Sequence, residues 1–267
     1  MGLRTMYKVF RETRNAAREQ ATLAVVGDSP RASEVAALLG AQRNMRGAEI
    51  ILTISETGTT ISGKAVEAPG KISLPSKYGK DLLDELTVRI VRAMDEDFLV
   101  ALAKGYPPFR RAVCEEIARN NARQNAVIGL LPIPGADMPV MTANQARMVL
   151  NIAAAFGEEL SMERAKELLG VLAAGFGLRA LSRQAVKFVP VGGWAASAVI
   201  AYAGTLAMGR SSILYFERGG QRVGEKEMAE IRSRALMEGK GFVVRDLAPG
   251  VTLEEVQAKT GATLHTQ

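Results

Sequence analysis

One nearly uncharged stretch decides how the central part of this chain folds: residues 126–146, which read AVIGLLPIPGADMPVMTANQA. Asp137 is the only ionisable side chain in it. Pro132 and Pro134 interrupt the stretch, and proline breaks a helix because it lacks the backbone N–H and clashes with the preceding turn. The stretch therefore predicts two helices joined by a turn. We expect Asp137 to cap the second helix, which continues to Phe156.

Helical patterning continues on both sides of this turn, and we interpret residues 95–219 as one helical domain. Phe109, Val113 and Ile117 recur every four residues and predict the helix that leads into the turn. A further helix is predicted over residues 194–216.

The helix that follows the turn carries a polar stripe formed by Asn144, Arg147 and Asn151. These positions share one side of a helix because they are three and four residues apart. Two interpretations stay open: a partner surface, or the solvated face of the helix.

The helix predicted over 194–216 has a small residue at every fourth position. The five positions that we call the small-residue ridge are Gly193, Ser197, Ala201, Thr205 and Gly209. Such a ridge lets another backbone approach closely, in a membrane or in a tightly packed bundle. We therefore treat the ridge as a candidate interaction surface, including one for a homo-oligomer.

The same region contains 22 uncharged residues, 188–209. As a helix they would extend about 33 Å, and the hydrocarbon core of a bilayer is about 30 Å thick. Many of these residues are Gly, Ala and Pro, which makes insertion marginal. A buried or membrane-apposed helix and a transmembrane span both stay open.

Before the helical domain, residues 21–94 alternate between strand-like and helix-like segments. Strands are predicted over 22–26, 48–54 and 69–74, and helices end at Leu39 and Met94. This pattern predicts a small three-stranded α/β layer. The fold class is α+β and mostly helical: this layer, then a helical bundle or hairpin domain, then a short αβ tail.

Residues 58–65, GTTISGKA, are one residue short of a phosphate-binding loop, G-x-x-x-x-G-K-[ST]. Ala65 stands where the loop needs a hydroxyl. Residues 51–55 and 60–66 instead alternate like the two arms of a β-hairpin, which is our interpretation. The alternative is a divergent nucleotide-binding hydrolase that uses residues 58–64.

Both ends of the chain carry separate short elements. Residues 1–20 predict a basic amphipathic helix, which either faces a membrane or partner or is simply solvated. Its basic residues are Arg4, Lys8, Arg11, Arg14 and Arg18. Residues 220–267 predict a helix, a strand at 242–244 and a last helix with a capping box from Thr252 to Glu255.

The composition limits the kinds of catalytic and metal site that this chain can form. His265 is the only histidine and Cys114 the only cysteine, so histidine triads, imidazole metal sites and internal disulfides have too few residues. The acidic run that starts at Asp95 is interpreted as the first turn of a helix rather than a metal site. The formal net charge of +6 suits an anionic membrane or an acidic partner, whereas the scattered basic residues and few aromatics argue against nucleic acid. We expect no catalytic residue, metal or cofactor.

The helical region resembles the YcjF-like proteins of bacteria. The segments that carry the resemblance include PIPGAD, VPVGG and AYAGT, within residues 98–219. The matching residues are 125–126, 131–137, 145–149, 152, 156–157, 167–170, 188–193, 201–205 and 215–219. The resemblance implies an all-helical module, often fused to or encoded beside a GTPase domain and in several cases membrane-associated. It supplies no catalytic residues. Since this module follows a G domain in fused members, residues 21–94 are either a degenerate G domain or an unrelated α/β domain.

These observations lead to one functional hypothesis and two alternatives. We expect a non-enzymatic helical module that is the partner or regulator of a GTPase at or near the cytoplasmic face of a membrane. The alternatives are the divergent hydrolase and a structural scaffold that self-associates through the small-residue ridge. The first twenty residues lack the apolar region of a signal peptide, so we expect a cytoplasmic protein that associates with the inner membrane.

Overall fold

The computed structural model describes residues 21–130, 137–158, 193–240, 242–244 and 264–266, together with positions 7, 10, 11, 13 and 19. The chain forms two compact units. We call residues 8–117 and 150–161 the sheet unit, and residues 1–7, 118–149 and 162–267 the helical unit. The domain boundaries predicted after residues 20, 94 and 219 stay predictions.

A four-stranded mixed sheet organises the sheet unit. Its strands are β1 (Leu23–Val26), β2 (Ile50–Ser55), β3 (Gly58–Ser62) and β4 (Gly70–Ile72), in that order across the sheet. β1 and β2 are parallel, whereas β3 is antiparallel to both of its neighbours. The predicted α+β class is confirmed, but the sheet has four strands rather than three, because the second arm of the predicted hairpin is itself a central strand.

Buried residues alternate with more exposed ones along β2 and β3, whereas β1 is apolar throughout. In β2, Ile50, Leu52 and Ile54 are buried, as the period of two for a half-buried strand requires. Helix α1 (Pro30–Leu39) connects β1 to β2. Ser29 caps it by accepting a hydrogen bond from the backbone N–H of Ala32 at 3.2 Å.

Helices follow the sheet along the chain. They are α2 (Gly79–Ala93), α3 (Glu96–Gly105), α4 (Arg110–Leu130) and α5 (Asp137–Ala155). Asp95 caps α3 by accepting from the backbone N–H of Asp97 at 2.9 Å, so the prediction that this acidic run is a helical first turn is confirmed. α5 ends at Ala155, one residue before the predicted end at Phe156, and Gly157 follows with a φ of 86°.

A short 3₁₀ turn, Pro107–Phe109, precedes α4 and belongs to the sheet unit. Phe109 is fully buried, and the turn lies against α2 and α3. The neighbouring Tyr106 accepts a hydrogen bond at its phenolic oxygen from the backbone N–H of Leu23, at 2.8 Å. This contact ties the start of β1 to a residue 83 positions later.

The helical unit contains two more described helices, α6 (Gly193–Glu217) and α7 (Glu225–Lys240), which lie against each other. Strands β5 (Phe242–Val244) and β6 (Leu264–Thr266) form a parallel pair. Both helices and the strand at 242–244 were predicted, and they are confirmed. The capping box from Thr252 to Glu255 lies outside the described residues.

Candidate interaction site

Between Ala118 and Ala126, the buried side of α4 consists of small residues and amides. Ala118 and Ala122 are fully buried, and Ala126 is nearly so. Asn121 and Asn125 are buried on the same helix. Because alanine has only a methyl side chain, neighbouring helices can come close to α4 and reach its asparagine side chains.

Four polar side chains meet where α4, α5 and α6 come together, and we call them the polar cluster: Asn125, Asn144, Gln145 and Thr205. Asn125 Nδ2 donates to Thr205 Oγ1 at 2.9 Å, and Gln145 Nε2 donates to the same oxygen at 3.2 Å. Asn144 Nδ2 donates to Asn125 Oδ1 at 3.2 Å. A hydroxyl oxygen has two lone pairs, so Thr205 can accept both hydrogen bonds.

Burial makes this cluster energetically important. Asn125 and Thr205 are fully buried, whereas Asn144 and Gln145 are half-buried. A buried amide that loses its partner costs about 1–3 kcal/mol. The cluster therefore aligns three helices with each other. Since amides and hydroxyls do not titrate near neutral pH, the four side chains offer no acid–base catalyst.

Gly209 lies one turn after Thr205 and brings α6 into close contact with α4. A Cβ atom at position 209 would lie 2.5 Å from Ala118 Cβ and 3.2 Å from Met148 Sδ. Both distances are shorter than an ordinary van der Waals contact. Only glycine fits at this position without moving a helix.

The small-residue ridge is therefore used within the chain at two of its five positions. Thr205 and Gly209 are buried against α4 and α5. Ala201 is half-buried. The structure places Gly193 and Ser197 on the first turns of α6, and their surroundings lie outside its description.

The polar stripe on α5 is half-buried along its described length. Asn144 belongs to the polar cluster, and Arg147 lies one turn later. Asn151 falls in the part of α5 that belongs to the sheet unit. Its Oδ1 atom is buried and makes no hydrogen bond among the described contacts.

The predicted basic and capping residues are only partly described. Arg11 is exposed, on a helical turn whose Phe10 is buried. Arg4, Lys8, Arg14 and Arg18 lie outside the described residues. Asp137 is the first residue of α5, but its side chain also lies outside the description.

Two exposed apolar side chains flank the connection between α4 and α5. Val127 on α4 is 61% exposed, and Val140 on α5 is 49% exposed. Both belong to the helical unit. They stand on either side of residues 131–136, which hold most of the LPIPGAD segment. Sequence periodicity had not marked either valine as a site residue.

The stretch GTTISGKA is a strand and a turn rather than a phosphate-binding loop. Its first five residues are β3, paired antiparallel with β2, so the predicted hairpin is confirmed. A phosphate-binding loop must open a helix, whereas residues 63–69 hold no helix. Lys64 Nζ lies 5.8 Å from the centroid of the Phe98 ring, in a cation–π contact. A Cβ at Gly63 would lie 2.2 Å from the backbone oxygen of Glu49, so this glycine serves chain packing.

The loop after β1, where a G domain would hold phosphate, is filled by protein contacts. Arg43 donates to the backbone oxygens of Val25, at 3.1 Å, and of Gly27. A Cβ at Gly27 would lie 2.1 Å from the backbone oxygen of Ile54. Arg31, on the first turn of α1, donates to backbone oxygens of a distant segment that includes Pro75.

No cluster of three or more His, Cys, Asp or Glu side chains in the described ranges could hold a metal ion. None of the described helices combines the length and the apolar composition that a membrane crossing needs. Residues 188–192 of the candidate span lie outside the description.

The fold and the site define a helical module that follows a small mixed sheet along the chain. Buried amide side chains, rather than titratable groups, join its helices. The chain belongs to the family described as Domain of unknown function (DUF697), whose profile matches residues 106–240. This match covers the whole of α4, α5, α6 and α7. The chain matches no curated protein and no solved structure.

Proposed function

We propose that the helical unit is a non-enzymatic docking module for a GTPase, at or near the cytoplasmic face of a membrane. Membership of the DUF697 family supports the module, and the finer resemblance to YcjF-like proteins supports the kind of partner. The observation that carries the proposal is the pair of exposed valines, Val127 and Val140, beside the most specific segment of that resemblance.

The two valines can supply a useful part of a binding energy. Fully burying a valine side chain contributes about 1.5–3 kcal/mol, and Val127 and Val140 are still 61% and 49% exposed. Covering both would then contribute about 2–3 kcal/mol, which is a change of roughly 30- to 150-fold in the dissociation constant. Hydrogen bonds of the polar cluster join the two helices that carry the valines, which reduces the conformational entropy lost on docking.

The experiment is a binding measurement with a GTPase that the full chain captures from its native cells; if it captures none, the proposed partner is wrong. The GTPase is loaded with GDP or with a non-hydrolysable GTP analogue, and calorimetry gives the affinity of each state for the full chain. Val127→Asp and Val140→Asp should each weaken binding at least tenfold, because a carboxylate at a dry interface loses its hydration. Met45→Asp is the matched control, because Met45 is 58% exposed in the sheet unit.

Two results would overturn this part of the proposal. One is the absence of measurable binding to the GTPase in either nucleotide state. The other is equal affinity of wild type and both valine variants, which would place the contact elsewhere.

The membrane half of the proposal needs a separate measurement. The basic residues of the first helix should hold the chain on vesicles that contain anionic lipid, and salt should release it because surface electrostatics are screened. Co-sedimentation with vesicles of neutral lipid, and with vesicles containing about 30% anionic lipid, tests this. Equal recovery with both kinds of vesicle would contradict the proposed membrane association, but it would not bear on the proposed GTPase partner.

The proposal also includes the evolutionary origin of residues 21–94, for which we infer descent from a G domain. The order of strand, glycine-containing loop and helix at β1 and α1 supports descent from a G domain. The protein contacts of Arg43 and Arg31 explain how such a loop could persist after losing its nucleotide. Family members that keep a second glycine and a lysine in this loop would support the descent, and members with unrelated loops would count against it.

A further inference from the structure

The connection between α1 and β2 contains a turn that is held in one shape by its own hydrogen bonds. We call residues 43–48 the Met45 turn. The side-chain amide of Gln42 donates to the backbone oxygens of Asn44, at 2.8 Å, and of Arg46, at 3.1 Å. Asn44 Oδ1 in turn accepts from the backbone N–H of Arg46 at 3.2 Å. These bonds fix the direction in which the tip of the turn presents its side chains.

Two neighbouring side chains are exposed at the tip. Met45 is 58% exposed. Arg46 is also exposed, and its guanidinium makes no hydrogen bond or ion pair with any residue that the structure describes. Arg43 is not counted, because its guanidinium is engaged with the backbone oxygens of Val25 and Gly27. The tip therefore presents one apolar side chain beside one positive charge that the protein does not neutralise.

Both ends of the Met45 turn are hydrogen-bonded to residues that follow the first helix. At one end, the backbone N–H of Gln42 donates to the backbone oxygen of Leu23 at 3.0 Å. At the other end, the backbone N–H of Glu49 donates to Thr22 O at 3.0 Å, and the Glu49 carboxylate accepts from the backbone N–H of Thr22 at 2.8 Å. The basic helix predicted over residues 1–20 ends two residues before Thr22, so the turn is anchored where that helix leads into β1.

We propose that the Met45 turn is a second contact with an anionic bilayer, in which Met45 enters the interface and Arg46 lies among the lipid head groups. This inference rests on the proposed membrane association of the first helix, and it names the part of the sheet unit that touches the same bilayer. Methionine is unbranched and flexible, so it adapts to the space between lipid chains. Arginine extends its charged end toward the head groups while its stem lies along apolar surroundings.

The small size of the turn favours a bilayer over a protein partner. A specific protein–protein interface covers about 800 Å² on each partner, roughly 20–30 residues, and this turn is far smaller. A bilayer instead adds the contributions of separate apolar side chains and charges. A soluble polyanion would use the arginine but leave the methionine in water. One cation near an anionic surface and one partly buried methionine should each change the partition coefficient by about fivefold.

The first experiment places a fluorophore at the tip of the turn. Cys114 is the only native cysteine and is fully buried, so Met45→Cys can be labelled selectively with nitrobenzoxadiazole, a dye that responds to its surroundings. On vesicles with about 30% anionic lipid, the emission of the labelled full chain should move to shorter wavelength and rise about twofold or more. Tyr78→Cys is the control: Tyr78 is 72% exposed and follows β4, which ends at the opposite end of the sheet from Thr22. Its emission should not change.

The second experiment measures the contribution of each side chain by co-sedimentation with the same vesicles. Met45→Ala and Arg46→Gln should each lower the partition coefficient about three- to fivefold. Arg222→Gln is the control for charge, since Arg222 is an exposed arginine in the loop between α6 and α7 and the same charge is lost. Its coefficient should change less than about twofold, because charges far from the bilayer are screened. Circular dichroism checks that the variants are folded.

The outcomes separate this inference from the proposal on which it rests. If wild type sediments with anionic vesicles but the dye at position 45 does not respond, the Met45 turn is not a contact, and the first helix remains one. Wild-type partitioning of both Met45→Ala and Arg46→Gln would lead to the same conclusion. If wild type does not sediment with anionic vesicles, both proposals are wrong. An equal response of the dye to single-stranded DNA would also overturn the inference, because the occupant would then be of another class.

Discussion

Replacing Gly209 by alanine tests the close contact between α4 and α6. In an ordinary helix this change is stabilising by about 1 kcal/mol, because glycine has the greater conformational freedom in the unfolded chain. Here the new Cβ would lie 2.5 Å from Ala118 Cβ and 3.3 Å from Ala118 Cα. These atoms are part of, or directly attached to, the backbone of α4, so no side-chain rotation can relieve the clash.

The magnitude follows from these distances. Carbon atoms in contact are about 3.5–4.0 Å apart, so α4 and α6 would have to separate by roughly 1 Å at this point. Overpacking of this kind costs about 1–3 kcal/mol, and a clash with fixed atoms belongs in the upper half of that range. After the gain in helix propensity, the Gly209→Ala variant should be less stable than wild type by about 1–2 kcal/mol. The melting temperature should fall by roughly 2–8 °C.

Urea unfolding followed by circular dichroism measures the free energy of unfolding of Gly209→Ala, and two further variants are measured for comparison. Gly105→Ala is the matched control: it lies at the end of α3, and a Cβ there would meet nothing within 4 Å. It should be at least as stable as wild type. In an Ala118→Gly background the shortest contact, at 2.5 Å, is removed and the contacts that remain are those of 3.2 Å to Met148 Sδ and 3.3 Å to the Cα of residue 118, so Gly209→Ala should cost clearly less stability than it does in wild type. The reasoning is refuted if Gly209→Ala alone is as stable as wild type, or if it destabilises both backgrounds equally.

Three further predictions concern other parts of the chain. Thr205→Val should lower the free energy of unfolding by about 1–3 kcal/mol, because Asn125 Nδ2 loses its acceptor in a fully buried place; an unchanged urea midpoint would contradict this. The bond from Arg218 lowers the pKa of Glu227 below 4.5, so this pair contributes stability above pH 4.5 that is lost as pH falls through the lowered pKa. A carbon-detected NMR titration should show that the pKa of Glu227 returns to its ordinary value in Arg218→Gln. The contribution of this ion pair to stability is small because both groups are exposed. Calorimetry with GTP or ATP and magnesium should give no heat that depends on Lys64, and binding abolished by Lys64→Ala would revive the hydrolase.

Local patterns were sufficient where neighbours in sequence decide the structure. The hairpin followed from alternation on both sides of a short turn, and the start of a helix at Asp95 followed from an acidic run before a helical pattern. The strand count was wrong because β3 had been treated only as a hairpin arm, whereas it also pairs with β4.

The polar cluster could not be predicted, because its contacts join residues far apart in sequence. Asn125 and Thr205 are 80 positions apart. Thr205 stood out only as a small residue, and Asn144 only as part of a polar stripe. Periodicity gives the face of a helix on which a side chain lies, but it does not give the helix that will lie opposite. The exposure of Val127 could not be predicted for the same reason, because it depends on how other helices pack against α4.

Tyr106 shows that the family segment and the folding units of this chain have different boundaries. The family profile begins at this residue, yet its hydroxyl receives the backbone N–H of Leu23, and the fully buried Phe109 that follows also belongs to the sheet unit. A fragment that starts at residue 106 would carry these aromatic rings without α2 and α3, against which the turn lies, and without the strand that donates to Tyr106. A fragment that stops at residue 105 would leave the first strand without its acceptor. We therefore expect the isolated family segment to lose contacts at its first residues, and because residues 150–161 also belong to the sheet unit, no single cut in the chain separates the two units.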